Sequence, residues 1–171
     1  MKKTVKVIVS GDGGVGKTSF LNRLVNDRFF DNSKLTRGVD FYSKNIYVNG
    51  AEFNFIMWDF AGQNQFKTLL NDFVEGSLAA LILFDLTRIN TIENVYDWIV
   101  TLESFGRIPI VLIGTKSDLV NPYEYQVIDN YISEIIQEYD NIISYIKISS
   151  KTGENIKNAF EILIENLCLQ Q

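Results

Sequence analysis

Apolar and polar residues follow two periods along this chain, and the change from one to the other marks out its elements. Val5, Val7 and Val9 alternate into Ser10 and predict an opening strand. A glycine-rich loop, 11–16, comes next, and Phe20, Leu21, Leu24 and Val25 then recur at helical spacing over Thr18 to Val25. Residues 27–38 are polar and aperiodic, a long loop of the kind that commonly carries function. Phe41 to Val48, the pair Asn49-Gly50, and then Phe53, Phe55 and Met57 read as a hairpin with a two-residue turn. Leu78–Phe84, Ile108–Ile113 and Ile142–Ile148 are apolar runs without alternation, which predicts strands buried on both faces. Helical patterns fall between them, at about 66–75, Thr91–Ser104, Tyr123–Tyr139 and Glu154–Leu167. Strand and helix alternate, so the expected fold is α/β: a six-stranded, mostly parallel sheet with one antiparallel strand and helices on both faces.

Composition narrows the function more than the fold. The 171 residues suit one domain, 1–171, without internal repeat or linker. Sixteen basic residues against 21 acidic give a net charge of −5, a poor match to nucleic acid. There is no His, so His metal sites, Ser-His or Cys-His nucleophiles and His proton shuttles are excluded. The single Cys, Cys168, allows no internal disulfide. The longest apolar run, Leu78–Phe84, is far short of the ~20 residues of a membrane-spanning helix. The expectation is a cytoplasmic monomer in a reducing compartment, with peripheral membrane association if the full-length protein carries a lipid tail.

The chemistry begins at Gly11-Asp12-Gly13-Gly14-Val15-Gly16-Lys17-Thr18, which fits G-x-x-x-x-G-K-[ST] between a strand and a helix. Such a loop turns consecutive backbone N–H groups onto phosphate oxygens at a helix N-terminus, whose dipole favours anions. Lys17 adds a point charge at the β- and γ-phosphates, and the Thr18 hydroxyl is positioned for Mg²⁺.

Four further segments follow in a fixed order: Leu35-Thr36-Arg37-Gly38-Val39-Asp40-Phe41, Trp58-Asp59-Phe60-Ala61-Gly62-Gln63, Thr115-Lys116-Ser117-Asp118 and Ser149-Ser150-Lys151. With them the chain resembles the Ras superfamily of small GTPases, essentially from end to end. Gly38-Val39-Asp40-Phe41, Leu83-Phe84-Asp85-Leu86-Thr87 and Glu93-Asn94-Val95-Tyr96-Asp97-Trp98 are most similar to the Rab branch. The resemblance implies a P-loop fold that binds GTP or GDP with Mg²⁺ and slowly hydrolyses GTP. It also implies an effector, an exchange factor and an activating protein acting at residues 27–41 and 59–70.

On this resemblance, Gly13, Gly14, Val15, Gly16, Lys17, Thr18 and Ser19 hold the phosphates, and Thr18, Thr36 and Asp59 form the metal set. Standing alone, Asp59 would read more readily as a turn residue. The Gly62 N–H is expected on the γ-phosphate, and Gln63 orients the attacking water while Lys17 stabilises charge; an isolated Gln in a polar loop is normally only solvated. Asp118 is expected as a buried carboxylate whose two oxygens accept from the adjacent donors of guanine, a pair that adenine lacks. The Lys116 stem lies along the base. Phe29 falls where the family sets an aromatic against the base, although by itself it also reads as a helix-end core residue. Backbone N–H groups of Ser149, Ser150 and Lys151 are expected at the guanine carbonyl.

Several positions depart from the family pattern. Thr115 replaces the usual Asn and weakens one polar contact, and Ser150 stands where Ala is commoner. Ser33 occupies the place of a Tyr that folds over the phosphates, and Arg37 follows the metal Thr, where it reads as a solvent-exposed cation ahead of a partner contact or a catalytic cation supplied in cis. The five arginines, 23, 28, 37, 88 and 107, are scattered, unlike those of a nucleotide kinase. A non-hydrolysing, nucleotide-bound scaffold is the other reading, and the retained Thr36, Gly62 and Gln63 argue against it. Cys168-Leu169-Gln170-Gln171 only weakly matches a prenylation signal, and Cys168 reads instead as a continuation of the last helix's apolar stripe.

Overall fold

The computed structural model describes residues 2–31, 34–61 and 73–168. Strand β1 (Lys2–Ser10) leads through the glycine-rich loop into helix α1 (Lys17–Asn26). The hairpin strands β2 (Val39–Val48) and β3 (Ala51–Phe60) follow, then β4 (Ala79–Asp85), the short helix α2 (Ile89–Glu93) and α3 (Val95–Glu103). Strand β5 (Ile110–Thr115), α4 (Tyr125–Glu138), β6 (Ile142–Lys147) and α5 (Ile156–Cys168) complete the order. The sheet runs β2-β3-β1-β4-β5-β6, with β2 antiparallel to β3 and every other pair parallel. This is the expected six-stranded architecture.

The hairpin turn obeys its local chemistry. Asn49 (φ 50°) and Gly50 (φ 79°) both take positive φ, which the right-handed twist of a two-residue hairpin favours. Central strands β4 and β5 are buried along their whole length. Their side chains alternate between two cores: Leu81, Leu83, Val111 and Ile113 face the α1–α5 side, with Phe20 and Phe160. Ala80, Ile82, Phe84, Ile110 and Leu112 face the α3–α4 side, with Trp98 and Ile132. Cys168 is buried in the α1–α5 core.

Three sequence expectations change. Strand β6 is only half-buried beyond Ile142, because it is an edge strand with a neighbour on one side only. The helix expected over Thr91–Ser104 is divided at Asn94, whose amide donates to Asp12 Oδ2 at 2.7 Å; one turn later Trp98 Nε1 donates to Asp12 Oδ1 at 2.9 Å. The break therefore fastens α3 to the glycine-rich loop. Helix α4 is preceded by a separate turn, Pro122–Glu124, where Asn121 Oδ1 accepts from the Tyr123 N–H. The helix expected at about 66–75 lies largely outside the described residues. Among the described residues, no helix is long and apolar enough to cross a membrane.

Gly11 makes the closest approach in the sheet. It takes φ +133°, and a Cβ there would lie 2.1 Å from the Leu83 carbonyl oxygen of β4. Gly11→Ala should therefore lose about 3 kcal/mol from backbone strain and overlap, and melt roughly 6–12 °C lower. A thermal melt within 2 °C of the parent, under the same conditions, would contradict the packing described.

Candidate functional site

The loops at the C-terminal ends of β1, β5 and β6, with the segment that leads into β2, line a cavity of about 350 Å³. Parallel sheets put their ligand sites at this edge. Its lining falls into two groups, one at the glycine-rich loop and the start of α1, the other at the ends of β5 and β6 with Phe29.

Helix α1 starts at the glycine-rich end. Its N-cap, Gly16, offers no side-chain cap, and no acidic residue occupies the first turn. The positive end of the helix is thus left to a ligand. Gly13, Gly14, Val15, Gly16, Lys17, Thr18 and Ser19 all line this end. Lys17 Nζ donates to the carbonyls of Gly11 and Asp12, each at 2.8 Å. Burial lowers its pKa to about 8, against the opposing pull of Asp59 and Asp12.

Beside Lys17 three side-chain oxygens converge from three segments. Thr18 Oγ1 donates to Asp59 Oδ2 at 2.5 Å and lies 2.7 Å from Thr36 Oγ1. Thr18 has one proton, so its commitment to Asp59 makes Thr36 the donor of the second bond. Asp59 is fully buried, and its Oδ1 has no hydrogen-bond partner. Burial raises its pKa to about 6, although Thr18 and Lys17 both oppose the rise. A buried carboxylate with one unpartnered oxygen and two adjacent hydroxyls is a hard-oxygen set that fits Mg²⁺. It contains one anionic group only; among the described residues no cluster of three or more His, Cys, Asp or Glu could hold a metal. Gly62, Gln63 and Ser33 lie outside the described residues, as does most of 59–70.

At the other end Phe29, Thr115, Lys116, Asp118, Ser150 and Lys151 line the cavity. Asp118 is exposed here and not buried, because it sits on the turn Ser117–Leu119 beyond the end of β5. Its Oδ1 accepts from Ser149 Oγ at 2.6 Å. Ser149 lies one layer behind the cavity wall, and its backbone N–H is taken by the Glu154 carbonyl, so its side chain orients Asp118 instead. Thr115 Oγ1 is 2.6 Å from the Val15 carbonyl and 3.0 Å from that of Phe84. It joins the glycine-rich loop to the sheet, a contact the departure from Asn did not foretell. Lys116 extends its head group to the Gly14 carbonyl at 3.3 Å and to Asp85.

Two features were not legible in the sequence. Arg23 donates from Nε to the Ser150 carbonyl at 2.9 Å and from a terminal nitrogen to that of Lys151 at 2.7 Å. A further guanidinium nitrogen reaches Asp27, so one side chain ties the C-terminal end of α1 to the 150–151 loop. Its partners are 127 and 128 residues away, beyond any local pattern. The second feature is a row of aromatic rings from β2, β3 and the segment that leads to β4. Phe41, 58% exposed, meets Trp58 edge-on at 4.5 Å, and Trp58 meets Phe73 at 5.2 Å. Trp58 and Phe73 both lie beyond the partner segments expected from the sequence.

A family model described as the Ras family matches residues 6–169. The Ras-related protein Rab-34 of Mus musculus is 35% identical over 161 residues, which cover 92% of this chain and 61% of that protein. The Ras-related protein Rab-2B of Dictyostelium discoideum is 33% identical, over 95% of this chain and 79% of that protein. RABA5c of Arabidopsis thaliana is 31% identical, over 95% and 75%. The chain thus spans about three fifths of the length of Rab-34 and about three quarters of the other two.

The depressed Lys17 pKa has a measurable consequence. An anion bound beside it restores the ordinary value, so a nucleoside diphosphate should bind with proton uptake near pH 8, and affinity should fall as pH rises through that point. Calorimetric titration in two buffers of different protonation heat reads the uptake directly. Equal heats in both would contradict it.

Proposed function

This chain belongs to the Ras family, and we propose that it is a guanine-nucleotide switch of the Rab type, acting in signalling or membrane traffic, that slowly hydrolyses GTP to GDP and phosphate. One observation carries the reading: a single cavity joins the start of α1, with Thr18 and Thr36 backed by Asp59, to a wall that carries a carboxylate, Asp118.

Lys17 and the backbone N–H groups of 13–19 bind and orient the phosphates. Thr18, Thr36 and Asp59 are the residues that would hold Mg²⁺, which when bound neutralises charge on the β- and γ-phosphate oxygens. Asp118 accepts from the guanine donors, and an adenine would leave that carboxylate unsatisfied once the base covers it. Gln63 orients a water whose oxygen bonds to the γ-phosphorus while the bond to the β–γ bridging oxygen breaks. GDP departs with the electron pair, and the proton of the water passes to the released phosphate. No covalent intermediate with the protein is required.

The described arginines supply no cation to this step. Arg23 is bound to loop 150–151, Arg88 to Asp85 and the Gly13 carbonyl, and Arg107 to Asp140, while Arg28 and Arg37 are exposed and do not line the cavity. Hydrolysis should then be slow, on the order of 10⁻⁴ s⁻¹ as for Ras itself, until a partner protein contributes. Thr36 links nucleotide state to shape through its contact with Thr18. Segments 27–41 and 59–70 are the proposed partner surface, extended by the rings of Phe41, Trp58 and Phe73.

Titration with GTP and ATP tests base selectivity, and single-turnover hydrolysis tests the chemistry. The wild-type protein should prefer GTP by ~10⁴-fold or more, and Asp118→Asn should lose GTP while gaining xanthine nucleotides. Gln63→Leu should keep GTP affinity within a few-fold and slow its hydrolysis. Equal affinity for ATP and GTP would overturn the guanine assignment. Tight GTP binding without any hydrolysis would leave a nucleotide-bound scaffold.

A further inference from the structure

Besides Lys17, three further side chains hold the glycine-rich loop by its carbonyls. A trans peptide directs its C=O and the following N–H to opposite sides, so fixing a carbonyl fixes the next N–H. Three consecutive carbonyls of this loop are fixed in this way. Gly13 O accepts from a terminal nitrogen of Arg88 at 3.0 Å, Gly14 O from Lys116 Nζ at 3.3 Å, and Val15 O from Thr115 Oγ1 at 2.6 Å. The N–H groups of Gly14, Val15 and Gly16 must then point the other way, as a row of donors suited to an anion.

Two of the three clamps share an anchor. Asp85, at the end of β4, is fully buried, and its Oδ2 accepts from Arg88 Nε at 2.9 Å and from Lys116 Nζ. Its Oδ1 accepts from the Thr87 N–H at 2.9 Å and the Thr87 hydroxyl at 2.6 Å. Burial alone would raise this carboxyl, but the bonds from Lys116 and Thr87 outweigh burial and keep its pKa below the ordinary value. A charged Asp85 thus aims two cations at adjacent carbonyls. Lys116 belongs to the base-binding segment, whereas Arg88 belongs to none of the site motifs. Only a planar fork can serve Asp85 through Nε and Gly13 through a terminal nitrogen at once.

We infer that Arg88 is a positioning residue for the phosphate-binding loop: by holding the Gly13 carbonyl outward it keeps the Gly14 N–H turned to the bound nucleotide and slows nucleotide release. The inference rests on the guanine-nucleotide reading above. Arg88 acts through the backbone and not by touching the base, so its loss weakens retention without altering the choice of base. The Asp118 end, clamped separately by Ser149, stays as it is.

The experiment is the dissociation of fluorescent GDP and IDP, with Mg²⁺ present, from the wild-type protein, Arg88→Ala and Arg88→Lys. IDP lacks the exocyclic amine, so the ratio of the two rates reads the Asp118 end. Arg88→Ala should release both nucleotides about tenfold faster, with the GDP-to-IDP ratio unchanged. Arg88→Lys keeps the charge and loses the fork, and should also be several-fold faster than wild type; it serves as the test if the alanine variant does not fold. Release unchanged in a folded variant would overturn the inference. So would a lysine variant equal to wild type, which would make charge alone sufficient. A collapse of the base ratio would point to general loosening and would overturn it too. A wild-type protein that retains no guanine nucleotide would overturn the underlying reading and this inference with it, whereas retention with unaltered variant rates would overturn the inference alone.

Discussion

The Thr18 hydroxyl is the point on which the site depends. It belongs to the first turn of α1, yet it reaches Thr36 from the long loop and Asp59 from the end of β3 within 2.7 Å. These contacts close loops of 18 and 41 residues, with little apolar burial beside them to hold the closure. Thr36 is half-exposed and its neighbours Leu35 and Arg37 are exposed. Asp59, by contrast, is fixed by β3 and fully buried. One side of the junction is therefore rigid and the other is held by polar contacts alone. A ligand that adds or removes contacts at Thr18 can shift the loop without disturbing the sheet.

The sheet makes that rigid side possible. Strands β4 and β5, packed on both faces, deliver Asp85, Thr115 and Lys116 to one edge, and those residues support the glycine-rich loop from behind. Asp12 fastens the same loop to Asn94 and Trp98 of the next layer, and Arg23 does so for the 150–151 loop. Polar side chains with fixed partners thus surround the cavity and hold several of its lining residues in place.

What the sequence disclosed follows the range of each interaction. Asn49-Gly50 specified its turn, because positive φ at two adjacent positions is a local demand. The strands and the phosphate-loop spacing were readable for the same reason. The split helix at Asn94, the half-buried β6 and the exposure of Asp118 depend on neighbours distant in sequence, and periodicity does not encode them. Ser149 is instructive: its backbone was expected to meet the ligand, but Glu154 occupies its N–H and its hydroxyl orients Asp118. Arginines that looked scattered in the sequence, 23 and 88 above all, are fixed to loops of the site.

Amide hydrogen exchange over residues 34–41, compared between the GDP-bound protein and the protein bound to a non-hydrolysable GTP analogue, tests most directly whether the Thr18–Thr36 junction is a nucleotide-governed switch. The account predicts stronger protection of this segment with the GTP analogue, with β4 and β5 equally protected in both states, because only the polar side of the junction changes. Equal protection of 34–41 in the two states would contradict it and would mean that this protein binds its nucleotide without switching.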